Sequence, residues 1–453
     1  MPRVDRSVAV VGAGFSGLMT ALNLLRRDPG VRVTLIDQRV PFGQGLAYGA
    51  AQPDHVLNVR AGNMSAWPEE PGHFIDWLAS RPNGVGGAGF ATRGEYGAYL
   101  HDLLTEVAEG PRATGRLILV PDEVVEAVRA PGGWRIIFAM GRQVEFDALV
   151  LATGNPPPAA PQGLSPAAAR SPFYQADPWR GPTPAAERDA PVLLIGSGLT
   201  MVDVALAVQR QCPGRTMLAL SRRGLSPLAH APIPQAYDAP PPAPGASPLA
   251  VSRWLTRAGR SGDWRAAVDA LRPTTQTIWQ AWSVAQKQAF LRHARPYWDV
   301  HRHRLAPVVA EKVAALRSDG LLRIVSGRLT RLDASDGGLT ADWMPRGATE
   351  ALQQGVSAAV NCTGPASELA RTPIALLAAL SAQGTIRADP LGLGLQAEPD
   401  GRLVDRQGRP HERLFGVGPV TRGMFWECTA VPDIRHQATK VAQAVLAALS
   451  PAT

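Results

Sequence analysis

The chain has 453 residues, of which 45% are hydrophobic and 19% are charged, and its formal net charge is +8. These proportions exclude a disordered chain, and no run of roughly 20 apolar residues suggests a membrane span, so we expect a cytoplasmic protein of two or three domains. The basic excess comes from arginines spread along the whole chain, so nucleic-acid binding is not expected.

The first predicted element is a strand, a glycine turn and a helix at residues 7–20, SVAVVGAGFSGLMT. Gly12 allows the tight turn, Gly14 lets a pyrophosphate approach the backbone, and Gly17 lets the helix pack closely on the strand. Asp37 ends the second predicted strand, where a carboxylate accepts hydrogen bonds from ribose hydroxyls. The arrangement predicts a dinucleotide site; a packing turn without a ligand is the less favoured interpretation.

The next informative segment is EFDALVLATGNPPP at residues 145–158. It predicts a buried strand that stops at a proline run, because proline extends the backbone and cannot donate a hydrogen bond. We interpret it as a crossover between domains. Thr153 and Gly154, at the end of this strand, are predicted to contact the cofactor.

A second strand, glycine turn and helix occupies residues 190–208. Gly196 and Gly198 repeat the first motif, but Met201 stands where a third glycine is expected. The helix is therefore predicted to pack less closely, or the turn to bind its ligand with a shifted geometry. Two such units in one chain predict two dinucleotide-binding folds.

Arg222 and Arg223 follow the strand after this second turn, where an acid is usual in NADH-binding folds. A guanidinium can clamp a phosphate with two hydrogen bonds, so the pair predicts NADPH rather than NADH. The alternative is an exposed strand end in which both arginines are simply solvated.

The remaining elements predict the domain order. A proline-rich loop at residues 238–248 precedes a Trp- and Arg-rich helical run at 249–318, and the C-terminal residues form a strand, a loop and an amphipathic helix. We predict an α/β fold of two nested Rossmann-like domains, in which an NADPH domain interrupts an FAD domain. The predicted bounds are 1–180 and 351–453 for the FAD domain, and 181–350 for the NAD(P) domain with its helical insert.

Six segments carry a family resemblance: GQGLAYG (43–49), HVLNVRAGNMSAWP (55–68), RPYWDVHRHRLAP (295–307), VNCTGP (360–365), DPLGLGL (389–395) and GPVTRGMFWECTAVPDIRHQA (418–438). In these the chain resembles a bacterial FAD/NAD(P)-binding family that includes FAD-dependent urate hydroxylases and aspartate N-monooxygenases. The resemblance implies FAD at Gly12, Gly14, Gly17 and Asp37, and NADPH near Gly196, Gly198 and Arg222.

One departure from related flavoproteins lies near the C-terminal strand. Many of them carry an aspartate there that holds the ribityl chain, whereas this chain has Gly418 and its neighbours. The flavin contact is therefore predicted to come from a backbone amide, such as that of Gly418, or from Thr421.

The candidate catalytic residues are Asn58, Arg60, Arg422 and Trp426. Asn58 is the first candidate for an oxygen or substrate contact, the two arginines favour an anionic substrate, and Trp426 with the neighbouring Glu427 is expected beside the isoalloxazine. Loop hydrogen bonding and packing are the competing structural roles for Asn58 and Trp426.

No metal site is predicted. Cys212, Cys362 and Cys428 lack the CxxC spacing of zinc and redox motifs. The HRHR run at 301–304 has two histidines at i and i+2, whose side chains diverge on a helix. This run is interpreted either as a salt-bridge network or as an anchor for phosphates or an anionic substrate.

The leading functional hypothesis is an FAD-dependent, NADPH-using monooxygenase. It would hydroxylate a small polar nitrogen compound, such as an amino acid amine or a purine-like heterocycle, with molecular oxygen through a flavin C4a-hydroperoxide. The alternative is an NAD(P)H-dependent flavin reductase or dehydrogenase without oxygenation. A nucleic-acid-binding flavoprotein is the least favoured hypothesis.

Overall fold

The computed structural model describes residues 6–50, 52–53, 55–82, 84–110, 115–181, 189–233, 237–260, 264–366 and 368–450. The strands are β1 (Arg6–Val11), β2 (Val31–Ile36), β3 (Leu117–Val120), β4 (Val124–Ala130), β5 (Gly133–Phe138), β6 (Gln143–Phe146), β7 (Ala148–Leu151), β8 (Tyr174–Gln175), β9 (Val192–Ile195), β10 (Met217–Ser221), β11 (Leu322–Ser335), β12 (Gly338–Pro345), β13 (Leu352–Val356), β14 (Ala358–Asn361), β15 (Arg402–Val404) and β16 (Pro410–Gly416).

The helices are α1 (Phe15–Arg27), α2 (Gly45–Gly49), α3 (His73–Ala79), α4 (Arg93–Glu109), α5 (Pro166–Arg170), α6 (Leu199–Gln211), α7 (Pro248–Arg260), α8 (Trp264–Ala281), α9 (Val284–Ala289), α10 (Arg295–Arg302), α11 (Pro307–Ser318), α12 (Ala375–Ala382) and α13 (Val431–Leu449). A π-helical turn, Phe290–Ala294, joins α9 to α10. None of the described helices is both long and apolar enough to cross a membrane.

The first sheet has the strand order β15-β16-β7-β1-β2-β3 and is parallel except for β15. Strand β7 is apolar along its whole length and β1 is apolar from Val8 onward, because both faces of the sheet are covered there. Helices α1, α4 and α13 pack on one face. The antiparallel sheet β4-β5-β6 and helix α12 pack on the other.

The second sheet has the order β13-β12-β11-β10-β9-β14-β8. Strands β8, β14, β9, β10 and the start of β11 run parallel, and β11 then continues into an antiparallel meander with β12 and β13. Helices α6 and α11 cover one face, while α5 and the meander cover the other. The prediction of two nested dinucleotide-binding folds is confirmed.

The second sheet extends beyond the range 181–350 that the sequence assigned to it. Strand β8 pairs with β14, and β14 pairs in turn with β9. Strand β8 has only two residues, too few to show a periodicity, and β13 and β14 belong to the second sheet through backbone pairing that their sequence does not reveal. Strand β16 pairs with β7, so the C-terminal segment completes the first sheet.

The Trp- and Arg-rich segment between β10 and β11 folds into helices α7 to α11, as the sequence predicts. Its core is separate from those of the two sheets and is built mainly from tryptophans and aliphatic residues of α7, α8 and α10. Trp426, from the loop after β16, also joins this core. The helical insert is thereby attached to the C-terminal part of the first domain.

Candidate functional site

The first glycine turn lies where β1 ends, beside the end of β7. Gly12 has φ +103°, and a side chain there would overlap the carbonyl oxygen of Ala152. A side chain at Gly17 would overlap the carbonyl oxygen of Gly12. Both positions therefore require glycine, as the motif predicts, because β1, β7 and α1 meet here at backbone distance.

Helix α1 begins at Gly14, and no side chain caps it. Asp37 lies just after β2; its Oδ2 accepts a hydrogen bond of 2.8 Å from the backbone amide of Ala13, and its Oδ1 accepts one of 2.9 Å from that of Arg39. The carboxylate thus stabilises the turn and also borders a cavity. Uncapped helix amides beside an acid at the end of the second strand match the arrangement that binds a dinucleotide.

The cavity at Asp37 has a volume of about 430 Å³. Gly45 lines it from the first domain, and Asp177, Trp179 and Arg180 line it from the segment that follows β8. Sequence reasoning missed these last three residues because they lie far from the glycine turn in the chain, in a stretch with no motif.

Thr153 and Gly154 follow β7 and lie at the same edge of the first sheet as the first glycine turn. The Thr153 hydroxyl is buried and has no hydrogen-bond partner among the described residues, which is rare for a buried polar atom. Gly154 has φ +70° and open space where a side chain would lie. A free hydroxyl and an unfilled cradle beside the glycine turn fit a bound cofactor.

Gly418 packs the loop after β16 onto the start of α1. It has φ +77°, and a side chain there would overlap the Ser16 hydroxyl. The Gly418 amide donates a 2.9 Å hydrogen bond to Oε1 of Gln437. The Thr421 hydroxyl donates one of 2.8 Å to the carbonyl oxygen of Gly418. Gln437 Nε2 donates to the Thr421 hydroxyl at 2.8 Å. The Gly418 amide and the Thr421 hydroxyl, the two groups predicted to contact the flavin, are therefore both hydrogen-bonded to the side chain of Gln437.

The second glycine turn repeats the first with one difference. Gly196 has φ +117°, and a side chain there would lie 2.5 Å from the carbonyl oxygen of Cys362. Gly198 begins α6, again without a side-chain cap, and has open space where a side chain would lie. Met201 is fully buried in the core under the sheet. The turn thus keeps an open approach to its helix amides although the third glycine is missing.

Arg222 and Arg223 lie directly after β10, at the same edge as this turn. Arg222 is exposed, and the guanidinium of Arg223 lies 5.9 Å from the ring centre of Tyr297. Ser221 is the last residue of β10. Its hydroxyl accepts a 2.7 Å hydrogen bond from the Ser197 hydroxyl, which connects the strand end to the glycine turn. Both arginines directly follow the strand end, and Arg222 is open to solvent there.

Asn58 and Arg60 lie at the contact between the two domains. The Asn58 carbonyl oxygen is 3.0 Å from a ring nitrogen of His230. The Arg60 guanidinium donates to the carbonyl oxygens of Ala88 and Ala231. Burial lowers the pKa of Arg60. Arg60, predicted to bind an anion, is thus used to hold the 55–68 loop against the second domain.

Arg422 and Trp426 lie together on the loop after β16. The Arg422 guanidinium is 4.8 Å from the ring centre of Trp426, and its buried Nε has no partner among the described residues. Burial, followed by repulsion from Arg295, lowers the pKa of Arg422. Trp426 stacks on Trp279 of α8 at 4.6 Å between ring centres. Arg422 therefore keeps a buried N–H group that is free to donate a hydrogen bond to a ligand.

Glu427 is buried beside Trp426 and is paired. Its Oε1 accepts a 2.9 Å hydrogen bond from the Trp298 indole, and its Oε2 lies 3.3 Å from the Arg302 guanidinium. Burial alone would raise the pKa of Glu427, but Arg302 and His303 lower it overall. The buried carboxylate is therefore held charged as part of an ion pair between the insert and the C-terminal loop.

The HRHR run divides among several partners. Arg302 pairs with Glu427, and Arg304 pairs with Asp269 of α8. The His301 ring contacts the Tyr297 carbonyl oxygen at 2.7 Å. These contacts favour the salt-bridge interpretation, and the described residues contain no group of three or more side chains able to hold a metal ion.

Comparisons with known proteins agree with this geometry. A family described as FAD-NAD(P)-binding matches residues 9–156, which contain the first glycine turn, Asp37 and the crossover strand. The chain has the two-dinucleotide flavoprotein fold. A search of curated protein sequences gave no match.

Solved structures with this flavoprotein fold match over nearly the whole chain. The ornithine N-hydroxylase of Kutzneria sp. 744, solved with reduced FAD, NADP⁺ and L-ornithine, has a TM-score of 0.65 at 16% identity over 98% of this chain and 99% of its own. The L-lysine 6-monooxygenase of Pseudomonas syringae has a TM-score of 0.62 at 16% identity over 98% of this chain and 99% of its own. The thioredoxin reductase of T. acidophilum has a TM-score of 0.52 at 11% identity, with 98% of both chains covered.

Proposed function

We propose that this protein is an FAD- and NADPH-dependent monooxygenase that hydroxylates a small nitrogen-containing molecule with molecular oxygen. The observation that carries the proposal is the pair of glycine turns, each opening an uncapped helix at the end of the parallel strands of its own sheet. One chain with both sites can bring a nicotinamide to a flavin. The full-length likeness to ornithine and lysine hydroxylases supports this function class.

The first turn has the groups that FAD needs. The start of α1 at Gly14 would receive the pyrophosphate, Asp37 would bind the adenosine ribose, and the free Thr153 hydroxyl offers a further contact. FAD bound there would accept hydride from the nicotinamide and react with oxygen, chemistry that amino acid side chains do not supply.

The second turn has the groups that NADPH needs. The open space at Gly198 would take the pyrophosphate, and Arg222 and Arg223 would bind the 2′-phosphate, which an acid at the strand end would repel. We propose that Asn58, Arg422 and Trp426 border the reacting end, with Arg422 as the anion contact because its buried Nε has no partner among the residues that the structure describes. The contacts of Arg60 support a role in holding the domains together instead.

The test combines turnover with a matched pair of glycine variants. Purified protein loaded with FAD is given NADPH and ¹⁸O₂ with a panel of amines and heterocycles, and NADPH consumption, hydrogen peroxide and labelled product are measured. Hydroxylated product carrying ¹⁸O supports the monooxygenase. NADPH consumption with every panel member, but with electrons passing only to an artificial acceptor or to peroxide, would establish the reductase alternative.

The variant Gly198→Ala should raise the KM for NADPH about tenfold, since a methyl group there would meet the pyrophosphate. Its thermal midpoint should change little, because no atom of the described residues beyond its two chain neighbours lies within 4 Å of the added carbon. Gly245→Ala is the control, since the same is true of its added carbon and the residue lies outside the motif. Equal KM values in the two variants would contradict the NADPH assignment.

A further inference from the structure

The helical insert contains a large cavity, with a volume of about 620 Å³, that the cofactor motifs do not account for. Helices α7, α8 and α10, the π-helical turn and the loop after β16 surround it. Its size is within the range of small-molecule sites, and π-helical turns occur often at functional sites.

The walls of the cavity are aromatic and aliphatic. The indole and phenyl rings of Trp264, Trp279, Trp282, Phe290, Trp298 and Trp426 line it. Such rings stack favourably on a flat π-system, which adds to the gain from burying apolar area.

The charges around the cavity argue against a cationic amine. None of the described residues that line it is an aspartate or a glutamate, whereas Arg260, His293 and His301 do line it. The guanidinium groups of Arg422 and Arg295 lie 4.8 and 5.7 Å from the ring centre of Trp426. An ammonium ion buried here would have no carboxylate to pair with, and burying an unpaired charge is costly.

One polar group in the wall has no partner. Trp426 is 3% exposed, and its indole nitrogen donates to none of the described residues. The neighbouring indoles of Trp279 and Trp282 do donate, to the carbonyl oxygens of Gly423 and Ala246 at 2.9 and 2.8 Å. A buried N–H group without an acceptor is unusual. The nitrogen itself has almost no surface open to the cavity, so an acceptor on a bound molecule would satisfy it once the ring turns toward the cavity.

We propose that this cavity binds the substrate, and that the substrate is a flat aromatic molecule, neutral or anionic, with a hydrogen-bond acceptor that reaches the Trp426 indole. The substrate assignment rests on the proposed function. It narrows the expected substrates to aromatic nitrogen compounds and excludes aliphatic amino acid amines. Trp279 and Gln276 of α8 donate to the carbonyl oxygens of Gly423 and Met424, so the cavity is connected directly to the loop that leaves the first sheet.

The experiment is isothermal titration calorimetry of oxidised, FAD-loaded protein without NADPH, with indole-3-carboxylate as the probe and L-ornithine as the comparison. We expect indole-3-carboxylate to bind and ornithine not to bind. Trp426→Phe keeps the ring but removes the N–H group and should weaken the probe about tenfold. That factor corresponds to about 1.4 kcal/mol, the size of one hydrogen bond.

Two further variants keep the test decisive. Trp343→Phe removes another buried indole N–H without a partner, in the core of the second sheet, and should leave probe binding unchanged. Ser252→Phe places a ring in the cavity and should abolish binding whatever the role of Trp426. No binding of the probe by folded wild type, binding of ornithine in its place, or equal losses in Trp343→Phe and Trp426→Phe would overturn the proposal.

The two proposals can fail separately. Binding of the probe that depends on Trp426, without ¹⁸O-labelled product in the turnover assay, would retain the cavity as an aromatic site and reject the monooxygenase. Labelled product from an aliphatic amine, together with no binding of the probe, would retain the monooxygenase and reject the aromatic cavity.

Discussion

At the scale of single residues, His230 shows how the contact between the domains constrains a side chain. Its ring lies between the Phe90 ring, with 5.0 Å between the two ring centres, and the Asn58 carbonyl oxygen. Burial first, and then the charge of Arg304, lowers its pKa to about 4. The histidine is therefore neutral in the folded protein at pH values where an unfolded chain would take up a proton.

We predict that His230 makes folding sensitive to acid. Because its folded pKa lies below the unfolded value, its contribution to stability is present above about pH 6.5 and is lost as the pH falls through about 4. His230→Gln, which cannot titrate, should lose less stability between pH 7 and 4.5 than the wild type. Urea midpoints across this range measure the difference, with the exposed His101→Gln as control. Parallel pH profiles for wild type and His230→Gln would contradict the prediction.

At the scale of elements, helix α4 joins the two domains at its first turn. Thr92 caps it: the Thr92 hydroxyl accepts a 3.1 Å hydrogen bond from the Glu95 amide, and Glu95 Oε2 accepts one of 2.7 Å from the Thr92 amide. This reciprocal pair satisfies amide groups that would otherwise lack partners at the helix start. It also sets the position of Arg93, which begins the helix.

Removing the cap should cost a measurable part of the stability. Thr92→Ala is expected to lower the free energy of unfolding by about 1 kcal/mol, because the Glu95 amide loses its acceptor. Thr92→Ser keeps the hydroxyl and should behave nearly as wild type. Chemical denaturation of the three proteins gives the comparison, and an equal loss in both variants would show that the Thr92 methyl group, not the cap, matters.

At the scale of the whole molecule, a buried ion pair between Arg93 and Asp203 links the two dinucleotide-binding domains. The Arg93 guanidinium, at the start of α4, lies 2.7 Å from the carboxylate of Asp203 on α6, and both side chains are largely buried. Burial raises the pKa of Asp203, while Arg93 and His55 act to lower it. A buried pair of this kind leaves a costly charge behind when one partner is removed.

Arg93→Leu should therefore destabilise the protein by about 3–5 kcal/mol, through the unpaired Asp203 carboxylate. Adding Asp203→Asn should recover part of that loss, since the charge is removed as well. The exposed pair between Arg371 and Glu368 provides the control, and Arg371→Leu should change stability little. Unfolding midpoints are measured for these three variants and for the single variant Asp203→Asn, which completes the cycle. Additive losses in the double variant would mean that Arg93 and Asp203 do not interact.

Much of the fold followed from sequence because its signals are local. Gly12, Gly17 and Gly196 lie within a few residues of the strands and helices they connect, so each unit is recognisable as one short motif. The backbone contacts that require glycine at Gly12 and Gly196 are nevertheless made with Ala152 and Cys362, far away in the chain. The helical insert was also predictable, since its residues repeat with helical periodicity. The extent of the second sheet was less predictable, because β8 and β14 belong to it only through pairing with strands that are distant in the chain.

The sequence by itself determined the two dinucleotide-binding units, their order and the glycine turns that open each cofactor helix. Only the tertiary structure decided which of the predicted site residues remain free. Arg60 is engaged by Ala231, 171 residues away in the chain, and the Gly418 amide by Gln437, 19 residues away. None of the described residues accepts a hydrogen bond from the Trp426 indole. The aromatic cavity is likewise invisible in sequence, since helices and a C-terminal loop enclose it together, and a packing tryptophan looks the same as one that lines a cavity until those elements meet.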